Sequence, residues 1–586
     1  MKKQLALMIL CLLLLTGVAS AKQGHLVLLA VHQEDGEQIG ATADLNLEIK
    51  PGNGNVYLNT VPLTRIDTQI STRFAKDIAC SYLDMDCRGY DFFYSIKADS
   101  SIVGGPSAGA ATTALTVFLL NNMKYDEKIM VTGTINSGGI VGPIGGLEAK
   151  LQAASKVIGA KKVLIPMGER FIKEGNQTKD AAVYGQNLSL EVVEVATIDD
   201  VVYEFTGKHI KPKEQNLTID PSYLDTMKNL ATQLCNRTGM LANQAQEKTG
   251  LATRLGKPYI DNVKAGKNLT ARGRVAINNS FYYSAASYCF GANVRYQEII
   301  QRTLNGSELA DAINETNESI KIFEKELVAR QLNTITDLQA FMVASERLNE
   351  AKEQLGLAER QNNSKAEYLA LAIERLQSSH AWSRFFGNSG KEYILNQEVL
   401  KGSCLAKIAE AEESYQYATL YLPNLLDSAA TDISDAYKFL ANKQYALCLS
   451  KASNAKANAN SVLGVIGVQE DQVETLIDEK LDVGKQLIIK QAKDNSFPIL
   501  GYSYWEYATS LKAYDKYSAL LYSEYALELS NLDIYFQKKQ MIKIEIDPTF
   551  YWVFALGLFS GILIGWRIKA GHRSGKSNRS RKVGKK

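Results

Sequence analysis

Three textures of hydrophobic patterning follow one another along the chain. From Lys22 to about His209, short apolar runs of strand length alternate with helix-compatible stretches, and most of the turns between them carry glycine. The runs Leu26–Val31, Lys128–Val131 and Lys162–Ile165 predict strands, and Thr112–Leu120 predicts a helix. The mixture predicts an α+β or α/β domain over residues 22–210. A charged, proline-bearing linker, Lys211-Pro212-Lys213-Glu214, follows, and then the period lengthens. Only four prolines fall between Asn216 and Lys543, and apolar positions recur at helical spacing, as at Leu348, Ala351, Leu355 and Ala358. Tyr507, Leu511, Tyr514, Leu521 and Tyr525 give a second such series. Residues 216–545 therefore predict a largely α-helical domain, a bundle or a solenoid. Tyr445–Ser450 echoes Tyr525–Ser530, and Tyr288 and Tyr368 lie at a similar interval upstream, which predicts helical hairpins repeating about every 80 residues.

The third texture occupies the two ends, and both address a membrane. Lys2 and Lys3, the apolar run Leu5–Leu15 and the small residues Ala19-Ser20-Ala21 form a tripartite signal peptide over residues 1–21. Residues 549–566 are uncharged and mostly apolar, with Tyr551, Trp552 and Trp566 at the edges and Arg567, Lys569 and Arg573 just beyond. That pattern predicts one membrane-spanning helix, and the positive-inside rule places the basic tail 567–586 in the cytoplasm and the body outside the cell membrane. Gly557, Gly561 and Gly565 make a small-residue stripe along the span, which predicts a homo-oligomer contact between two copies.

Composition narrows the function classes. Apolar residues are 46% and charged residues 22% of the 586, which excludes a disordered or collagen-like chain. The net charge is +3, yet the last twenty residues hold nine Lys/Arg and Lys2 and Lys3 two more, so the body without them stands at −8. An acidic body with basic ends argues against nucleic-acid binding. Beyond Cys11 there are six cysteines, Cys80, Cys87, Cys235, Cys289, Cys404 and Cys448. Their even number, with ten Asn-x-Ser/Thr sequons in the body, suits an exterior location and disulfides, but fifteen connectivities remain open. The five histidines are scattered and no CxxC pair exists, so no metal site and no cofactor is indicated.

Two glycine-rich segments carry candidate chemistry. In Gly104-Gly105-Pro106-Ser107-Ala108-Gly109, proline precedes a serine placed in the first turn of a helix, where unpaired N–H groups and the helix dipole favour a developing oxyanion. Glycines around it leave room for a substrate backbone. In the second, Gly138–Gly146 leads into a helix on which Lys150 shares a face with Leu147, Ala153, Ala154 and Val157. Burial in an apolar stripe lowers a lysine's proton affinity, and a neutral amine can take the proton of a serine hydroxyl.

With Met130-Val131-Thr132-Gly133, Pro143-Ile144-Gly145-Gly146-Leu147 and Lys162-Val163-Leu164-Ile165-Pro166, these segments occur in the order and spacing of the Lon protease family's proteolytic domain, which they resemble. The resemblance covers roughly residues 22–208. It implies a Lon-type α+β fold with Ser107 as nucleophile, Lys150 as general base and Thr132 orienting the amine. It also implies substrate and oxyanion contacts from Gly105, Pro106 and Ala108. The chain departs from the bacterial pattern at Gly104 and Thr134, where acidic residues are common in that family. The nearest phosphate-loop lookalikes, Gly250 to Gly256-Lys257 and Gly571 to Gly575-Lys576-Ser577, each miss the spacing by one residue. The expectation is an ATP-independent serine endopeptidase that cleaves unfolded or flexible polypeptides, in a layout similar to predicted archaeal secreted or membrane-anchored Lon-like proteases. The alternative is an inactive protease fold whose helical part is a binding or assembly module.

Overall fold

The computed structural model describes residues 21–539 apart from 35–36, 65, 104, 175–176, 211–215, 249–251, 389, 466–467, 469 and 471, together with 557–559, 561–562 and 566. Residues up to Lys538 form one compact unit and those from Lys539 a second. The signal segment (residues 1–20) and most of 549–566, Gly565 included, lie outside the described residues. Among the described residues no helix is long and apolar enough to cross a membrane.

The chain opens with β1 (Lys22–Glu34), β2 (Glu37–Pro51), β3 (Val56–Thr64), α1 (Ile66–Tyr82), β4 (Tyr90–Val103) and α2 (Gly109–Leu120). The first sheet has the order β1-β2-β4-β3, with β3 parallel to β4 and the other pairs antiparallel. Alternation decides its faces. Leu45, Leu47 and Ile49 of β2 pair with Ile96, Tyr94 and Phe92 of β4, and all six point inward. Against that face lies α2, buried along its whole length, as expected of a helix with apolar or hydroxyl side chains on every side.

Next come β5 (Ile129–Val131), β6 (Thr134–Ile135), β7 (Val141–Gly142), α3 (Leu147–Ser155), β8 (Lys162–Pro166), β9 (Phe171–Glu174), β10 (Gln177–Asp180), α4 (Ala181–Asn187), β11 (Glu191–Val195) and α5 (Ile198–Thr206). A parallel sheet β11-β8-β5 carries the central strands, and β6 and β7 form a two-stranded hairpin. The strands predicted at Leu26–Val31 and Lys162–Ile165 fall within β1 and β8, and the one predicted at Lys128–Val131 covers β5 and starts one residue before it.

From α6 (Pro221–Glu247) onward the described chain is nearly all helix: α7 (Ala252–Asn278), α8 (Tyr282–Arg302), α9 (Gly306–Val328), α10 (Ile335–Arg360), α11 (Lys365–Trp382), α12 (Gln397–Thr419), α13 (Asp427–Ala441), α14 (Tyr445–Leu463), α15 (Val473–Lys493), α16 (Ile499–Leu511) and α17 (Lys516–Ser530). Starts are set locally. Asp220 caps α6 with Pro221 at its first position, and Thr334 and Asp337 form a capping box on α10. Leu348, Ala351, Leu355 and Ala358 are all buried on α10. The series from Tyr507 to Tyr525 is not one helix: α16 stops at Leu511, Tyr514 stands exposed, and Asp515 starts α17 by accepting the Ser518 N–H at 3.0 Å. The echoing hexapeptides also differ in place, since Tyr445 opens α14 whereas Tyr525 lies in the middle of α17. The cysteines pair with their nearest neighbours, Cys80–Cys87, Cys235–Cys289 and Cys404–Cys448.

Candidate active site

Ser107 lies in a short 3₁₀ turn, Pro106–Ala108, that runs directly into α2. The turn is entered through Gly105 at φ +101, where a Cβ would meet nothing within 4 Å but the backbone conformation disfavours any other residue. Pro106 has no N–H and so shapes the turn without donating to a ligand. The turn is stitched to the strand segment beside it: the Ser107 carbonyl accepts the Gly133 N–H at 2.9 Å, and the Gly133 carbonyl accepts the Ala110 N–H at 3.0 Å. Thr132 is held in turn by β8, because its N–H donates to the Leu164 carbonyl at 3.0 Å.

Lys150 reaches the same point from α3. This helix begins after Gly146, which is left-handed, and the Lys150 N–H closes its first turn on the Gly146 carbonyl at 3.0 Å. The side chain is 2% exposed, and its Nζ lies 3.1 Å from Ser107 Oγ and 3.0 Å from the buried Thr132 Oγ1. Ser107, Thr132 and Lys150 thus converge, while Gly105, Pro106 and Ala108 surround the serine as backbone. Burial pushes the Lys150 amine down from 10.5 to about 8, against an opposing pull from the Glu169 carboxylate. An amine in that range is substantially neutral in mildly alkaline solution and can accept a proton.

Residues 98–205 match the Lon protease (S16) C-terminal proteolytic domain. That stretch belongs to the Lon proteolytic-domain family. A Lon protease of Azospirillum brasilense is 37% identical over 112 residues, 19% of this chain and 13% of the relative. Lon protease 2 of Bacillus subtilis is 36% identical over 102 residues, 17% of this chain and 16% of the relative. A Lon protease of Lachnoclostridium phytofermentans is 29% identical over 167 residues, 28% of this chain and 20% of the relative. The likeness therefore spans a fifth or less of these curated relatives, and it leaves the helices from α6 onward without a counterpart in the matched family model.

Several neighbours of the site have no signature in the sequence. Between Thr132 and Lys150 the chain forms the β6–β7 hairpin and the turn Pro143–Gly146, and the helical part grips both. At the hairpin tip, Ser137 Oγ donates to Glu528 Oε2 of α17 at 2.8 Å, Gly138 (φ +83) lies against Leu487 of α15, and Ile140 packs with Leu487 and Leu527. At the turn, a Cβ on Gly145 would sit 1.8 Å from the Tyr421 hydroxyl, so any larger residue there requires that ring to move. The Gly145 N–H donates to Tyr417, which donates to Tyr421. Glu528 belongs to a buried network in which Lys456 Nζ lies 2.7 Å from Glu410 and 3.6 Å from Glu528, while Lys407 also bonds both carboxylates. No periodicity announces these contacts, because the partners lie hundreds of residues apart. Glu169 differs: it follows Pro166-Met167-Gly168 at the end of a matched strand, where a carboxylate is a readable signal.

Proposed function

We propose that the protein is a serine endopeptidase in which Ser107 is the nucleophile and Lys150 the general base. The observation that carries this reading is the buried Lys150 amine 3.1 Å from the Ser107 hydroxyl, within a segment of the Lon proteolytic-domain family. Thr132 holds the amine on its other side at 3.0 Å and directs it at the hydroxyl. Ser107 Oγ attacks the peptide carbonyl as its proton passes to the Lys150 Nζ, and the carbonyl oxygen takes up negative charge beside the first-turn N–H groups, Ala108 among them. Collapse breaks the C–N bond, the ammonium returns its proton to the leaving amine, and an acyl-Ser107 ester remains. Water, deprotonated by the same amine, attacks the ester and releases the carboxylic acid, with Ser107 regaining its proton. Gly105 and Pro106 shape the approach to the hydroxyl.

The enzyme so described works without ATP on unfolded or flexible polypeptides. It is anchored by residues 549–566, with the body outside the membrane and the tail 567–586 in the cytoplasm. The Gly557, Gly561 and Gly565 stripe pairs two copies. The support for this part is the sequence pattern alone: the uncharged apolar stretch, its aromatic edges and the basic flank.

The deciding experiment is digestion of an unstructured peptide library by the purified protein, with Ser107→Ala and Lys150→Ala as controls. Cleavage lost in both variants, with folding retained, is expected. Equal cleavage by all three proteins refutes the dyad, and no cleavage together with no labelling of Ser107 by an acylating serine probe favours the scaffold reading.

A further inference from the structure

We infer that Glu169 is a positioning residue for the Lys150 amine, fixing the turn from which Lys150 springs and presenting a carboxylate that acts on the amine. The inference rests on the Ser-Lys reading and deepens it. Glu169 occupies the turn after β8, and the placement of that turn is tightly defined. The Glu169 N–H donates to the Pro166 carbonyl at 3.2 Å, and the neighbouring Gly168 N–H donates to Glu194 Oε1 at 2.8 Å. From there Glu169 Oε1 accepts the Ile144 N–H at 3.0 Å. Ile144 is followed by Gly145 and by Gly146, whose carbonyl closes the first turn of α3 on Lys150. A short path therefore runs from the carboxylate through Ile144 to the backbone of Lys150. The same strand, β8, holds the Thr132 N–H, so one structural element orients both the amine's helix and the amine's hydroxyl partner.

Charge follows the same geometry. Glu169 attracts the Lys150 ammonium, and Lys150 in return favours the ionised carboxylate against the burial that pushes it up to about 7. The other groups facing Glu169 are accounted for. Tyr417 and Tyr421, held neutral by burial, approach from the end of α12, and Glu479 and Lys480 of α15 line the same cleft, with Lys480 bound to Glu524. On its own segment, Arg170 is paired with Asp180 at 2.7 Å and Glu194 with the Gly168 N–H. An ionised Glu169 thus makes the amine harder to deprotonate, while its oxygen keeps the turn in place.

Glu169→Gln separates the two roles, because an amide oxygen still accepts the Ile144 N–H but carries no charge. Glu169→Asp does the reverse, keeping charge on a shorter arm that withdraws from Ile144. The measurements on the full chain are the pH dependence of kcat/KM on an unstructured peptide and the titration of ¹³Cε-labelled Lys150 by NMR, assigned by its loss in Lys150→Met. In Glu169→Gln the acid limb and the amine titration should both fall by about one pH unit, a difference that shows between the two limbs, where the wild-type Glu169 is ionised, and closes at lower pH as Glu169 takes up its own proton. The alkaline plateau should stay within about twofold. In Glu169→Asp the plateau should drop while the acid limb stays near that of the wild type. An unchanged Lys150 titration in Glu169→Gln overturns the inference, as does a Glu169→Asp limb displaced like that of Glu169→Gln. A protein that cleaves nothing, but whose Lys150 titration still moves in Glu169→Gln, overturns the peptidase reading and leaves this one standing.

Discussion

Replacing Lys150 with methionine exchanges the amine for an apolar side chain of similar length, and the structure sets what this does to stability as well as to activity. The folded amine binds its proton about 2.5 pH units less readily than an ordinary lysine, 10.5 falling to about 8. At about 1.4 kcal/mol per unit, the buried lysine costs the fold about 3 kcal/mol near pH 6.5. The sign is fixed by proton counting. Between pH 8 and 10.5 the unfolded chain holds a proton that the folded chain has released, so wild-type stability rises with pH across that window, and the penalty shrinks to about 1 kcal/mol near pH 9.5. Methionine carries no such penalty but strands the buried Thr132 hydroxyl, at about 1–3 kcal/mol that does not vary with pH. The wild type should therefore gain about 2 kcal/mol on Lys150→Met between pH 6.5 and 9.5. Urea unfolding followed by circular dichroism, run on both proteins at several pH values, reads this difference from the midpoints. Repeating the pair in a Glu169→Gln background takes that carboxylate's own ionisation out of the comparison. Parallel stability curves for the two proteins would mean that Lys150 titrates like an exposed lysine, and the argument for a neutral base would fall with it.

Four further outcomes are expected. Ser107→Ala should lower peptide hydrolysis by at least about 10³-fold without moving the urea midpoint, and Thr132→Val, which leaves the amine undirected, should lower kcat on the order of 10²-fold with KM little changed, both measured by steady-state kinetics. Lys456→Met removes one cation from a network of two lysines and two glutamates that is almost dry, and should destabilise the protein by about 3–5 kcal/mol in thermal melts. Replacing Cys235 and Cys289 by serine opens a cross-link spanning 54 residues and should cost about 2–5 kcal/mol by the same measurement.

Much of the candidate site could be read from the linear order of residues, for a physical reason. Ser107 and Thr132 have glycine close by, Lys150 lies one turn into the helix that follows Gly146, and all three are attached to strands or helices whose apolar periods are short and clean, so local rules place them. The lysine's lowered proton affinity was readable as well, since the helix Leu147–Ser155 puts it among Leu147, Ala153 and Ala154. What escaped were contacts made by side chains with no local reason to be there. Nothing around Tyr417, Tyr421, Leu487 or Glu528 distinguishes them from other helix-core residues, because their role depends on which helix faces the β6–β7 hairpin, and that is a tertiary choice. The break at Lys512–Asp515 escaped for a different reason. An apolar period can continue in register across a short turn, so spacing alone cannot separate one bent pair of helices from one long helix.

The grip of the helices on the stretch between Thr132 and Lys150 makes the peptidase fold and the helical array co-owners of one structural part. Severing the backbone between Lys208 and Asp220 should not yield an independent, soluble hydrolase; the two pieces, made as separate polypeptides, should instead reassemble and restore turnover only when mixed. Inheritance follows the same logic: a helical array that closes over this hairpin cannot be exchanged for another by simple fusion, a larger residue at Gly145 must displace Tyr421, and any other residue at Gly138 meets both Leu487 and a left-handed backbone.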